Sequence, residues 1–442
     1  MSLRGRFRSS EFNLVFNSQT PEGRGACLML ANTFTSNIAS VLVGGVFYAS
    51  FMALNGIDIV RIGLLGTIPS LCWVLSLFTP KIMSRFRSRR WILFSAHMVN
   101  CLCTVLGTTV MPWFVEDYTL RTVWFGVFLL IGNIVSALFD SGGVPWELHF
   151  VPENDHLRNV YYSYHNILGK LISTVTNLSA AFIADRLDNM PQELAIINTL
   201  RLIAFGFYTL SGVLSCLLPK EYPYDNSGKS VSLADTIRLP FRERKFLLTA
   251  SVIFLWTFTS RCNNNTWTYY MKETVGASYI ILQTNGIVTM AANFLLLPWF
   301  RRLIDRYSMP TMLRYGILGI SCCQLLVGFV SPGGAWYYAV TMIPNGIVWS
   351  LINLCAANAF VYNLPQQDRD VHTVFWNLMM QVATFLGMSF GTWFLSMLGE
   401  GVLFRIFSLE VYGSQALMWF KSAANLCLSL YIAGLTPHIR HN

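Results

Sequence analysis

The stretch "TSRCNNNTWTYYM", Thr259 to Met271, carries one arginine and three consecutive asparagines at the end of an apolar run that begins "FLLTASVIFLW" at Phe246. A guanidinium binds a carboxylate or phosphate through two parallel hydrogen bonds. Side-chain amides offer both donors and acceptors, which suits hydroxyl groups. Thr257, Arg261, Asn264, Asn265 and Thr268 follow i, i+4, i+7 spacing, so they share one face of a helix; Asn263 and Trp267 occupy the neighbouring strip. A charged side chain at the centre of a membrane helix costs about 2.5–3.5 kcal/mol on insertion scales. A water-filled cavity that admits a polar solute would satisfy this face better than an apolar neighbour.

Comparable stripes recur along the chain. Asn32, Thr33, Ser36, Asn37 and Ser40 form one, and Asn166, Lys170, Ser173, Thr174 and Asn177 another. Asn345, Trp349 and Asn353 are spaced i, i+4, i+8; Asn285, Thr289 and Asn293 follow the same rule, and Asn377 precedes Gln381 by one turn. His97, Asn100 and Thr104 share a side, as do Lys421 and Asn425. Some of these must be helix-to-helix hydrogen bonds, which are common in membranes. Lys170 and Arg261 fall near the middle of their apolar runs, and no carboxylate reaches a comparable depth. Two such cations would favour an anionic solute, whereas the amides and the Trp349 indole suit a neutral sugar equally well. The candidate solute-binding set is therefore Arg261, Asn264, Asn265, Asn37, Lys170, Trp349, Asn353 and Asn377. Asp140, near the inner end of its run, and His165 are the candidates for carrying a coupling proton, since an unperturbed histidine titrates near neutral pH.

These residues need elements long enough to hold them in a membrane. Of the 442 residues 54% are hydrophobic and 12% charged, with mean hydropathy +0.47; soluble domains carry about 25% charged residues. Apolar stretches of membrane-crossing length are expected at 26–54, 59–79, 91–112, 121–142, 158–184, 197–217, 246–271, 278–298, 311–330, 336–362, 373–398 and 415–435. The fold class is an all-α membrane protein of twelve helices. With the N-terminus inside, 22 of the 31 Lys and Arg residues fall in inner segments, seven, Lys421 among them, in outer loops and span ends, and two within spans. That bias puts both termini in the cytoplasm of a multi-pass protein, expected at the plasma membrane. The basic excess then reads as orientation and lipid contact, with no nucleic-acid partner. The first 24 residues are polar and basic, without the apolar core of a signal peptide. The ten cysteines lie mostly within spans and lack metal-ligand spacing. No metal or cofactor is implied, and a monomer is expected.

The longest hydrophilic break, Pro219 to Lys245, divides six spans from six. "TFTS" occurs at Thr33–Ser36 and at Thr257–Ser260, 224 positions apart. Pro152 and Pro365, and Asp155 and Asp368, are each 213 apart, and Pro80 and Pro298 each precede a basic loop. Two parallel six-helix repeats are a transporter signature. The loop after the second span, "PKIMSRFRSRR", resembles the G-x-x-x-D-R-x-G-R-R pattern of the major facilitator superfamily in its arginines (Arg85, Arg89, Arg90), with Ser84 in place of the acid. The second copy, "RRLIDRYSMP", keeps Asp305 and Arg306. The resemblance covers nearly the whole chain. It implies bundles at 1–218 and 246–442 joined by the loop 219–245, and alternating access about a site between the repeats. Arg85, Asp305 and Arg306 would then gate the inner face through charge pairs. The function implied is secondary transport of a small polar organic solute: a sugar, a glycoside or an organic anion. A drug exporter of the same superfamily is the nearest alternative, although the fifth span has one glycine and no proline. A sensor with a transporter fold is another. The seven histidines are scattered and no GxxxxGK phosphate loop occurs, so neither an enzyme nor an ATP-driven pump is indicated.

Overall fold

The computed structural model describes residues 11–83, 85–86, 88–140, 143, 146–147, 149–152, 155–186, 192–221, 238–363, 369–399, 401–406 and 409–439. Eleven of its helices are long and apolar enough to cross a membrane. They are Pro21–Leu54, Ile59–Phe78, Arg90–Trp113, Tyr118–Phe139, Val160–Asp185, Glu193–Cys216, Thr284–Tyr307, Met309–Val327, Ala335–Ala356, His372–Leu398 and Gly413–Pro437. The seventh span of the sequence supplies the other. It is broken: helix Arg244–Arg261 ends, Cys262 and Asn263 turn, and Asn264–Tyr269 resumes before a wider turn at Tyr270–Thr274. The span numbers used below follow this order.

Local chemistry sets several helix starts. Pro21 occupies the first turn of span 1, and the Thr20 hydroxyl accepts from Gly23 N–H at 3.1 Å. Asp117 accepts from Leu120 N–H at 2.7 Å and opens span 4 in the same way. Span 1 is interrupted at Gly45, whose φ of +52° is a left-handed value that glycine tolerates.

The described residues fall into two compact units. One lies within Met1–Phe47, Cys72–Ala180 and Asn189–Lys229; the other lies within Tyr48–Leu71, Ala181–Asp188 and Ser230–Asn442. In the first, span 1 packs most extensively on span 6, and span 3 packs on spans 4 and 6. In the second, span 7 packs on spans 11 and 12, span 9 on spans 10 and 12, and span 8 on span 10. The pairings 1–6, 3–4 and 3–6 thus recur as 7–12, 9–10 and 9–12, as two parallel repeats require. The core of the second unit gathers Phe246, Ile253, Trp256, Ile317, Ile320, Ile352 and Cys355 from spans 7, 9 and 10. A two-stranded antiparallel hairpin, β1 (Val402–Ile406) and β2 (Leu409–Tyr412), joins spans 11 and 12 and carries an Arg405–Glu410 ion pair.

Two features depart from the sequence pattern. Span 8 was expected to stop near Pro298, yet its helix continues through that proline to Tyr307 and absorbs the second basic loop. Proline inside a membrane helix is tolerated where neighbouring groups re-satisfy the backbone. The turn into span 9 then falls on Ser308, the one non-glycine residue with positive φ among those described (φ 73°, ψ 151°). That region is costly for a residue with a Cβ, by about 1–3 kcal/mol. Ser308→Gly is therefore expected to raise the melting temperature; an unchanged or lower value in a thermal-unfolding comparison would refute the strain.

Span 11 approaches the broken helix through Gly387 and Gly391, a small-xxx-small pair. A Cβ on Gly391 would stand 1.6 Å from the Cys262 carbonyl oxygen, and one on Gly387 would stand 2.4 Å from that of Phe258. Both obstacles are backbone, so neither can swing away. Gly391→Ala is expected to destabilise the protein by about 1–3 kcal/mol through overpacking, read as a lower melting temperature or loss of the monodisperse species. Ala substitution at Gly286, which has open space around it, serves as the control.

Candidate functional site

The break in span 7 defines the site. Where a helix stops inside a membrane, its last carbonyls have no partner in the next turn and need another donor. Lys421 of span 12 supplies it. Its ammonium donates to Ser260 O at 3.2 Å and to Asn263 Oδ1 at 2.7 Å, and the residue is only 6% exposed. A cation at a helix C-terminus also meets the negative end of the helix dipole. Asn263 is fixed further by a contact from its amide to Met418 Sδ. One turn back, Thr259 donates to Asn425 Oδ1 at 2.7 Å, and Asn425 donates to Gln324 Oε1 at 2.8 Å, so spans 7, 12 and 9 are tied by a buried polar chain.

Beside this knot lies a cavity of about 410 Å³, within the range of small-molecule sites. Span 7 contributes Trp256, Ser260, Arg261, Asn263 and Trp267; Gln324 and Lys421 close one side, and Tyr338, Asn345, Trp349 and Asn353 the other. The Trp256 and Trp349 rings sit 5.4 Å apart at 50°. Arg261 lies at a junction: it also lines a smaller recess with Gly63, Gly66, Asn265, Met388 and Thr392, all of the same unit. Among the described residues Arg261 makes no hydrogen bond or ion pair.

A family model described as Major Facilitator Superfamily matches residues 26–388. The chain belongs to the Major Facilitator Superfamily. No curated protein matches the sequence. Among solved structures, the nucleoside transporter NupG superposes with a TM-score of 0.65 at 13% identity, covering 93% of this chain and 99% of that one. A D-xylose-proton symporter gives 0.63 at 14%, covering 92% and 96%. A POT family transporter in complex with 5-aminolevulinic acid gives 0.66 at 13%, covering 95% and 98%. At such identities these superpositions establish the fold of this superfamily member.

Of the residues singled out by sequence, the structure gathers Arg261, Trp349 and Asn353 around the large cavity and Asn265 around the adjoining recess. The Asn264 side chain lies outside the described residues. Asn37 donates to its own helix at Thr33 O (2.7 Å) and accepts from Ser173 of span 5 (2.9 Å), so it ties spans 1 and 5. Lys170 is exposed, and no hydrogen bond or ion pair to it is found among the described residues; it does not pair with Asp140. Asn377 is exposed on span 11. Asn345 and Asn285 bond each other at 2.9 Å across spans 10 and 8 while facing the cavity. Sequence reading passed over Lys421 as a contributor. The positive-inside count placed it among the outer span ends, whereas it is buried against the mid-span break. The signal available was its i, i+4 spacing to Asn425.

The proposed gating and coupling residues are distributed differently. Arg85 is exposed, and Pro365 and Asp368 of the repeat motif lie outside the described residues. Arg306 stacks on the Tyr307 ring at 5.3 Å, and neither it nor Asp305 has an ion pair among the described residues. The arginine-rich loop is held instead by Glu221, beyond span 6. Its carboxylate accepts from the backbone N–H groups of Arg89 and Arg90 at the start of span 3. Burial alone would raise this carboxyl, but those two bonds, the Ser88 hydroxyl and the Arg90 charge together hold it below the usual carboxylate range. His165 bonds Thr33 Oγ1 at 2.6 Å. Asp140 accepts from Ser136 and lines a separate pocket of about 250 Å³ with His97, Arg90, Trp146 and Glu147, so the two coupling candidates occupy different places in the first unit.

Glu147, in the segment between spans 4 and 5, had escaped notice because its sequence neighbours look like a loop. Burial, and then the nearby Asp140 carboxylate, push its carboxyl from 4.5 up to about 7. A carboxyl raised in the folded state binds its proton more tightly there than in the unfolded chain. Its contribution is therefore full below about pH 4.5 and is lost as pH rises through about 7. Glu147→Gln is expected to raise the melting temperature at pH 8 and to leave it nearly unchanged at pH 4.5. A uniform shift at both values would show that the carboxyl does not titrate in this window.

Proposed function

We propose that this secondary transporter moves a small polar organic solute, of the sugar, glycoside or organic-anion class, by alternating access of its two six-helix repeats, 1–218 and 246–442. The observation that carries the reading is the cavity beside the broken seventh span. It combines amides, a guanidinium and paired indoles in one enclosure, as binding of a polar solute with an apolar face requires. Discontinuous helices supply such sites in secondary transporters because their ends leave backbone groups available at membrane depth. Arg261, Trp349 and Asn353 contact the solute, with Asn265 at the edge. Indole faces suit ring carbons, and amides suit hydroxyls. A coupling proton would reside on Asp140, beside His97 and Glu147. The D-xylose structure is titled a proton symporter, which makes that coupling the first to test. The protein acts as a monomer in the plasma membrane with both termini in the cytoplasm.

The test is counterflow into liposomes containing the purified protein, with a panel of labelled sugars, glycosides and organic acids. At least one solute should accumulate above protein-free liposomes, and Trp349→Ala should lower that rate tenfold or more when rates are normalised to folded, reconstituted protein, since Trp349 also packs on the core. If no member exchanges above background, the transport reading of the cavity fails. If one exchanges and Trp349→Ala is silent, the solute sits elsewhere.

A further inference from the structure

The cavity of the second unit holds more positive charge than helix packing needs. Among the described residues its lining includes Arg261 and Lys421 and no carboxylate. An ammonium has three donors, and Lys421 uses two, on Ser260 O and Asn263 Oδ1. Arg261 has five donors and uses none on any described residue. Lys421 is buried without a carboxylate partner among the described residues, which is costly, while Arg261 is exposed where it lines the cavity; in membrane proteins such cations mark the path of a charged solute or ion. Capping the broken helix does not explain the choice of lysine, because a neutral amide donor could bond the same two oxygens. The charge itself is left over. Around it stand Trp256 and Trp349, whose rings lie tilted against each other, and the buried Trp267 and Tyr338 also line the cavity.

We propose that Arg261 and Lys421 form an anion subsite, and that the transported solute is an organic anion: one carboxylate or phosphate group attached to a ring. The inference rests on the reading of this cavity as the solute site and narrows its substrate class. The guanidinium takes the anion side-on through two parallel N–H groups. Lys421 adds its remaining N–H and its charge, while Asn263 and the Ser260 carbonyl fix where that ammonium points. The ring lies against Trp256 and Trp349, and Asn345 and Asn353 meet its hydroxyls or ring heteroatoms. The second cation of the site is thus Lys421 in place of Lys170, which is exposed on its own helix and is not among the residues lining this cavity.

The experiment uses matched pairs with the purified full-length protein in detergent: benzoate against benzyl alcohol, and glucose 6-phosphate against glucose. Acetate and inorganic phosphate serve as ring-free anions. Binding is read by titration calorimetry, with thermal shift as a second readout. The charged member of at least one pair should bind at least tenfold tighter than its neutral mate and than the ring-free anion; which pair responds tells carboxylate from phosphate. Lys421→Gln keeps an amide donor for the helix end and removes the charge; it should weaken the anion tenfold or more. Arg261→Gln, which breaks no bond to a described residue, should do the same while melting like the parent protein. It keeps the test decisive if Lys421→Gln folds poorly. Equal binding of charged and neutral mates overturns the proposal. So does anion binding that both variants leave unchanged, and so does the failure of every anion to bind at millimolar concentration. Transport itself is judged separately, by counterflow: neutral-solute exchange with no anion preference sinks the subsite alone, whereas anion binding without exchange of any solute sinks the transport reading.

Discussion

The structure depends on one demand: a helix interrupted within the membrane must find partners for the backbone groups it exposes. Span 7 stops at Arg261, and no water or lipid headgroup is guaranteed at that depth. The Lys421 ammonium meets the demand by bonding the Ser260 carbonyl and the Asn263 side chain together. That contact fixes span 12 against span 7 and places a cation beside the cavity. The polar chain from Thr259 through Asn425 to Gln324 extends the same logic to span 9. Structure and site therefore share their atoms.

Close approach supports the break from the other side. Gly387 and Gly391 let span 11 press directly on the carbonyls of Phe258 and Cys262. In hydrocarbon, helices gain little from burying apolar side chains against one another, since lipid is equally apolar; contact distance and hydrogen bonds decide association. Span 2 adds Gly63, close enough that a Cβ would meet the Thr392 hydroxyl at 2.3 Å. Small residues on span 11 thus meet the backbone of the broken helix, and one on span 2 makes room for the Thr392 side chain.

The first unit solves similar problems with different groups. Arg201 of span 6, only 2% exposed, donates to the Thr108 and Thr109 hydroxyls at 2.7 and 2.8 Å. Asn32 links span 1 to Ser211 and Ser215 of span 6, the pairing that Thr259 and Asn425 make between spans 7 and 12. Glu221 fastens the arginine-rich loop by its backbone, a role that any residue with an N–H could take at Arg89 and Arg90. The Arg90 guanidinium adds a bond to the Leu218 carbonyl at 2.8 Å, while the second copy has been drawn into the extended helix of span 8.

Length and hydropathy by themselves determined the class and the number of spans, because membrane thickness imposes a run length that composition makes visible; the superfamily resemblance came from the two-half repeat and the arginine-rich loop motif. The stripe through Arg261 was legible for the same reason: helical periodicity puts polar residues on one face whatever that face meets. What the face meets is a tertiary fact. Asn37 and Arg261 stand at equivalent repeat positions and look alike in sequence, yet Asn37 bonds Ser173 and its own helix, while Arg261 opens into a cavity. Lys170 and Lys421 are both lysines within apolar runs; only packing buries the second against a helix break. The break itself was hidden, since asparagines are compatible with either a continuous polar face or an interruption. Glu147 was hidden too, because a loop carboxylate is solvated unless distant segments close over it. Periodicity is a property of neighbours along the chain, whereas burial and pairing belong to groups brought together from separate helices, and only the folded structure decides them.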